Sequence, residues 1–241
     1  MCLAVTSGKG GTGKSTFSTG LSFAFSQLGK KTVLVDMDEG LRCLDIMLGI
    51  ESEMIFDLSD ILNGTDIFDA LYDVPEYENL KFIPAPNRLG LINKDSFGGF
   101  INKIKDMFDV VILDFPAGIE FSLYSVLGDD IRFITVCNPD PISVRDAAAV
   151  CYNLPDSSYE PRLIINKFDF EFMKRGMYGN IDDIIDNSAI RLLGIVPEEY
   201  ELFLLPVYHK IKRKGKAMKA FTRIALRLCG QNIKLPDVKK I

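Results

Sequence analysis

The chain has 241 residues, 47% of them apolar and 25% charged, a composition that fits one large soluble α/β domain and argues against disorder. No apolar run reaches bilayer length and the amino terminus enters a strand without a signal-peptide profile, so a cytoplasmic location is expected. Five scattered cysteines without C-x-x-C spacing favour reduced thiols over disulfides or a metal site, and a single histidine excludes histidine-rich metal chemistry. The net charge of −5 hides a segregation: residues 210–241 carry eleven Lys/Arg against one Asp, leaving seventeen against thirty-two in residues 1–209. A basic end on an acidic body points to a polyanion, or to docking on the chain's own acidic surface.

In chain order, Leu3-Ala4-Val5 reads as a buried strand, followed by Gly8-Lys9-Gly10-Gly11-Thr12-Gly13-Lys14-Ser15-Thr16 and a helix-compatible stretch from Phe17 to Leu28. The spacing is that of a P-loop, G-x-x-x-x-G-K-[ST], in its strand-loop-helix context. Glycines let backbone N–H groups face phosphates, and the helix that follows adds the positive end of its dipole. Lys14 is placed to neutralise the β- and γ-phosphates, and the Ser15 hydroxyl to bind Mg²⁺. Gly29 ends the helix, and Thr32 to Asp36 is the second strand.

A carboxylate-rich loop, Met37 to Asp45, follows at a strand's carboxyl end, where open parallel sheets bind ligands. Residues 57–74 read as short helices broken at Asn63-Gly64, Leu80 to Pro84 as a strand, and Phe97 to Phe108 as an amphipathic helix. It leads into Asp109-Val110-Val111-Ile112-Leu113-Asp114, a buried strand ending in a Walker B carboxylate that places Asp114 near the magnesium. Gly118 lies in the next loop, where its backbone can approach the γ-phosphate. Strands are also expected at Phe133 to Cys137, Arg162 to Ile165 and Leu192 to Val196, with a helix at Ser143 to Asn153. The alternation predicts a single α/β P-loop NTPase domain over residues 1–241: a mostly parallel central sheet with helices on both faces, ending in a basic tail at residues 230–241.

Phosphate binding demands nothing at the second loop position, so Lys9 is either a solvated lysine or a group with a further role. Asp36 and Asp38, two apart at a strand end, lie on one side of an extended chain. One can support the magnesium while the other orients an attacking water.

These residues resemble the MinD/ParA family of deviant-Walker P-loop ATPases, most of all its septum-site-determining MinD branch, over nearly the full length. The resemblance rests on Ser7 to Ser15, on Asp36 to Asp45, on Asp114-Phe115-Pro116-Ala117-Gly118-Ile119-Glu120, on Ser143-Val144-Arg145-Asp146 and on Gly194 to Glu199. It implies a switch that dimerises around two ATP molecules, hydrolyses ATP to ADP slowly, and meets a partner protein of the division or positioning machinery. Lys9 would then be the signature lysine reaching across to the second subunit's phosphates. The family's pattern assigns Gly8, Gly10, Gly11, Thr12, Gly13, Lys14, Ser15 and Thr16 to phosphate, and Ser15, Asp36 and Asp114 to the metal. Asp38 falls to the hydrolytic water, and Asn166 with Pro197 and Glu198 to the adenine.

Departures from the pattern are Cys43 where asparagine is usual, Phe115 where a smaller residue is usual, and a shortened 197–215 segment. Residues 230–241 lack the periodicity of the family's membrane-inserting helix. Upstream, Lys216, Lys219, Arg223 and Arg227 would form a basic stripe opposite Met218, Phe221, Ala225 and Leu228. That stripe is either the solvated face of the last core helix or an electrostatic patch for anionic membrane or non-specific DNA. The resemblance therefore leaves open peripheral attachment at the inner face of the cell membrane. Also open are a ParA-like DNA-partition role, a flagellar or polar positioning role, and a nucleotide-gated binding module with negligible turnover.

Overall fold

A computed structural model describes residues 1–118, 121–175 and 178–240. The described strands are β1 (Cys2–Thr6), β2 (Thr32–Asp36), β3 (Tyr72–Asp73), β4 (Leu80–Ile83), β5 (Val110–Asp114), β6 (Ile131–Cys137), β7 (Arg162–Phe168) and β8 (Arg191–Pro197). They form one sheet in the order β3-β4-β2-β5-β1-β6-β7-β8, parallel except for β3 against β4. Central strands read as continuous apolar runs because helices cover both of their faces.

The described helices are α1 (Lys14–Gln27), α2 (Leu44–Leu48), α3 (Leu58–Leu62), α4 (Lys94–Met107), α5 (Phe121–Tyr124), α6 (Pro141–Tyr152), α7 (Phe170–Lys174), α8 (Ile181–Ser188), α9 (Tyr200–Phe203), α10 (Leu205–Tyr208) and α11 (Lys216–Leu228). Alternation along the strands separates the two layers. Leu3 and Val5 join Phe17 and Leu21 of α1 and Phe221 and Ile224 of α11, while Cys2 and Ala4 join Phe97, Ile101 and Ile104 of α4 on the other face. On that second face, α6 and α8 cover β7 and β8 through Val144, Ala147 and Ile184. Helix α1 is buried on nearly every side because α11 closes over it: the Phe221 ring lies where Gly20 has no side chain. Loss of a buried ring of this kind costs about 3–5 kcal/mol.

Several boundaries differ from those expected. Helix α4 starts at Lys94 because the Asn93 side chain accepts a hydrogen bond from Asp95 N, which caps a polar first turn that carries no periodicity. The 57–74 region holds α3, a 3₁₀ turn at Ile67–Ala70 and the two-residue strand β3, whose pairing to β4 no local pattern announces. Phe115 fits by joining an aromatic run: its ring meets Tyr124 edge-on at 4.8 Å, and Tyr124 meets Phe133 at 5.5 Å.

The basic stripe on α11 is shorter than expected. Met218, Phe221, Ala225 and Leu228 are buried as expected, but Arg227 turns inward to the carbonyls of Leu193 and Ile233. The tail also folds back on the body, with Val238 packed against the β7–β8 core. Among the described residues no helix is long and apolar enough to cross a membrane.

Candidate functional site

Three strands bring the expected residues to one rim. Central β1 lies between β5 and β6, so its carboxyl end releases the 7–13 loop directly beside the end of β5, and β2 is the next neighbour. In register, Val5 pairs with Asp114, and Asp114 pairs with Asp36. Two buried carboxylates therefore sit side by side, an arrangement that is costly without a cation.

Lys14, the first residue of α1, supplies that cation. Its Nζ lies 2.9 Å from Asp114 Oδ2 and 3.3 Å from Ser15 Oγ, and Ser18 donates to Asp114 Oδ1 at 2.6 Å. Asp36 is less well served. One of its oxygens accepts from Asp38 N at 2.9 Å, while Oδ2 is buried with no hydrogen-bond partner. Burial, reinforced by the Asp114 charge, pushes the Asp36 carboxyl up to about 7. Asp38 is also raised, first by burial, with Lys14 opposing and Asp114 adding.

The loop needs glycine where its backbone is left-handed, at Gly11 (φ 79°) and Gly13, and where it packs closely, at Gly8. Gly13 has φ 82° and opens α1; a Cβ there would collide with the Asn166 amide. Gly8 packs against the backbone of Asp146 in α6, so a side chain would separate loop from helix. Asn166 and Lys167 hold the loop from beneath: Asn166 Nδ2 donates to Thr12 O at 2.8 Å, and Lys167 Nζ to Gly11 O at 2.8 Å. Gly118 N donates to Ser7 O at 2.8 Å, tying the loop after β5 to the same cradle. Ile119 and Glu120 of that motif lie outside the described residues.

Two cavities meet at this rim. One, of about 230 Å³, is lined by Lys9 to Thr16 together with Asp38, Cys43 and Ala117. The other, of about 470 Å³, is lined by Asn166, Pro197 and Glu198, as expected, and also by Leu202, Phe203 and Pro206. Gly11, Gly13, Thr16 and Met47 border both, so they form one cleft with a polar half and an apolar half. Phe203 is 79% exposed and stacks on Tyr200 at 6.3 Å. Leu202, Phe203, Pro206 and Met47 carried no signal in the sequence, because they come from short helices outside any motif. Glu39 was also missed; its carboxylate accepts from the N–H groups of Gly90, Leu91 and Ile92 at 2.7–2.9 Å and pins one loop at the rim to another.

Lys9 borders the polar cavity while its Nζ lies 3.3 Å from Asp140 Oδ1, the same oxygen that caps α6 through Ser143 N. Cys43 stands where its thiol meets the Ser15 hydroxyl, and burial pushes it up to about 11. It behaves there as a small neutral wall residue.

The donor set suits a small hard cation with phosphate. Ser15 Oγ, the carboxylates of Asp36 and Asp114, and the unpartnered Asp36 Oδ2 are all oxygens. Mg²⁺ takes one or two protein carboxylates and fills the remaining positions from water and phosphates. The Thr12 hydroxyl is likewise buried without a partner beside the cradle.

Comparison with known proteins agrees with this geometry. The family model of the CobQ/CobB/MinD/ParA nucleotide binding domain matches residues 3–211. The septum site-determining protein MinD of Synechocystis is 34% identical over 246 residues, covering 98% of this chain and 91% of that protein. Among solved structures, the MinC:MinD cell division protein complex of Aquifex aeolicus superposes with a TM-score of 0.85 at 30% identity, covering 98% of each chain. The septum site-determining protein MinD of Pyrococcus horikoshii, complexed with Mg-ADP, gives 0.78 at 25% identity, covering 94% of this chain and 95% of that one.

Proposed function

The chain belongs to the CobQ/CobB/MinD/ParA nucleotide-binding family, and from that premise we propose how its cleft works. It is a MinD-like ATPase of septum-site regulation, binding nucleotide with Mg²⁺. The single observation that carries the assignment of residues is the buried Asp36–Asp114 pair held by Lys14 at the mouth of a glycine cradle.

In this reading the N–H groups of the 8–15 loop and Lys14 receive the β- and γ-phosphates of ATP. Ser15, Asp36 and Asp114 would hold Mg²⁺, which would supply charge neutralisation at the phosphates. Asp38, raised by burial and bordering the polar cavity, accepts a hydrogen bond from the attacking water and aims it. Leu202, Phe203 and Pro206 sandwich the adenine, while Asn166, whose amide nitrogen already donates to Thr12 O and Gly13 O, reads its edge through Oδ1.

Lys9 acts from a second copy of the chain. Its contact with Asp140 is half-open, and such pairs contribute about 0–1 kcal/mol, so an incoming phosphate displaces it at little cost. A cation brought across an interface stabilises the charge that develops in phosphoryl transfer. ATP therefore favours the homodimer and hydrolysis dissolves it. The partner is a division-machinery protein, the kind seen with the Aquifex aeolicus relative. An anionic membrane or DNA surface is met through Lys210, Lys212, Arg213, Lys214, Lys216, Lys219 and Arg223, which keeps the protein peripheral.

Sizing the protein with ATP and Mg²⁺, beside a phosphate-release assay, tests the reading. Wild type should dimerise and turn over, and Lys9→Ala should bind ATP but neither dimerise stably nor hydrolyse it. Unchanged turnover in Lys9→Ala would remove the cross-subunit role.

A further inference from the structure

The amino rim of the sheet, opposite the nucleotide cleft, gathers four arginines. Arg132, Arg162 and Arg191 come from the starts of β6, β7 and β8, and Arg227 from the last turn of α11. All four line one cavity of about 280 Å³ together with Tyr159 and Glu160. Arg162 pairs in register with Arg191 on one side and with Ile134 on the other, and Ile134 lies two residues after Arg132. The period of two therefore puts the three strand arginines on the same sheet face, the one that α11 covers.

Two of the four have structural partners. Arg132 donates to Leu228 O at 2.9 Å and lies 4.1 Å over the Tyr159 ring, and Arg227 donates to the carbonyls of Leu193 and Ile233. A guanidinium at the carboxyl end of α11 offsets the helix dipole, which accounts for both. Arg162 and Arg191 have no such role. Among the described residues their guanidinium groups make no ion pair, and Glu160, the one carboxylate in the cavity wall, pairs with none of the four. Like charges on directly paired strand residues repel, so the chain alone leaves this neighbourhood short of an anion.

We propose that this cavity binds a phosphate-class oxyanion, bridged by Arg162 and Arg191 and walled by Arg132 and Arg227. The planar fork of each guanidinium matches two oxygens of a tetrahedral anion, and charge-assisted bonds of this kind are the strong ones. The volume admits a phosphate or pyrophosphate group and excludes a duplex. No residue lines both this cavity and the nucleotide cleft, so the inference stands whether or not the ATPase reading holds. Free inorganic phosphates and phospholipid headgroups both carry this chemistry.

The test is calorimetric titration of pyrophosphate into protein whose cleft has first been filled with Mg²⁺ and ADP, comparing wild type with Arg162→Ala/Arg191→Ala. Wild type should show a site whose affinity drops at least about tenfold in the double variant. In phosphate-free chloride buffer the variant should melt no lower than wild type, because its removed charges repelled each other. Sedimentation with phosphatidylglycerol vesicles separates the sources. Arginine-dependent pelleting that pyrophosphate reverses assigns the site to a lipid headgroup, and pyrophosphate binding without pelleting assigns it to a soluble phosphate compound. Equal pyrophosphate affinity in the two proteins, no binding by wild type, or retention of duplex DNA without pyrophosphate binding would each overturn the proposal.

Discussion

The two rims of the sheet carry the same kind of pair with opposite sign. At the carboxyl rim Asp36 and Asp114 are register neighbours, and at the amino rim Arg162 and Arg191 are. The carboxyl pair is buried and receives its counter-charge from within: Lys14 at 2.9 Å, with Ser18 donating to the same carboxylate. The amino pair is more open and receives none from the described residues. The difference teaches that a like-charged pair at a strand end is tolerable under two regimes. Either the chain supplies a cation that a ligand's own metal can supplement, or solvent and a diffusible ion do the work. In the first regime removing the internal partner is costly, and in the second removing a member of the pair costs nothing.

The largest effect therefore belongs to Lys14→Ala. Breaking a buried ion pair from one side costs about 3–5 kcal/mol, because the remaining charge is stranded. Here two carboxylates are stranded together, so the variant should lose most of its stability at neutral pH and its nucleotide binding with it. The loss should shrink as pH falls below about 7, because Asp36 then takes up a proton and the repulsion is removed. Equilibrium denaturation at pH 5 and pH 8 would check this, and an equal loss at both would break the comparison.

Next is Asp38→Ala, which sits at the edge of the pair without belonging to it. Mispositioning the attacking water should lower turnover by about 10²–10⁴-fold, while ADP affinity and melting temperature stay near wild type. Single-turnover phosphate release beside nucleotide titration reads both. Loss of binding together with turnover would mean that Asp38 belongs to the cradle.

The Asp36 carboxyl gives a pH signature of intermediate size. Its ordinary value is 3.8 and in the fold it rises to about 7, chiefly through burial. Between those values the folded state holds a proton that the unfolded state has released, so this group's stabilisation is complete at the acid end and fades as pH rises toward 7. Asp36→Asn should flatten that part of the stability curve. Mg²⁺ should in turn stabilise wild type more at pH 8 than at pH 5, because it occupies what the proton vacates. A stability curve whose slope over this window is unaltered in Asp36→Asn would remove the assignment.

Legibility in the sequence followed contiguity. The 8–16 loop, Asp36, Asp38 and Asp114 could be read because each motif is a short run whose order along the chain is also its order in function. Strand identities could be read from their apolar runs, yet β3 could not, since two residues carry no period. The apolar half of the cleft was half visible: Asn166 lies in β7, Pro197 ends β8 and Glu198 follows it, whereas Leu202, Phe203 and Pro206 sit on one-turn helices that show no amphipathic repeat. The amino-rim arginines were invisible as a group. About thirty residues separate each strand arginine from the next, and only the neighbouring order of β6, β7 and β8 brings them together.

The smallest effect concerns whether the carboxyl rim works without its apolar annex. Phe203 is largely exposed on α9 and touches nothing of the Lys14–Asp114 contact, so Phe203→Ala should leave the fold and the cradle intact. Stacking on an aromatic face contributes about 0.5–1.5 kcal/mol beyond area, so ATP affinity should fall about two- to tenfold while pyrophosphate affinity at the cradle is unchanged. Competition titrations against a fluorescent nucleotide separate the two ligands, because only ATP reaches the annex. If pyrophosphate weakened in parallel with ATP, the effect would have travelled through Gly11 and Gly13, which border both cavities. The rim would then be one mechanical unit with the α9–α10 segment. The counter-charged pair could no longer be treated as self-sufficient.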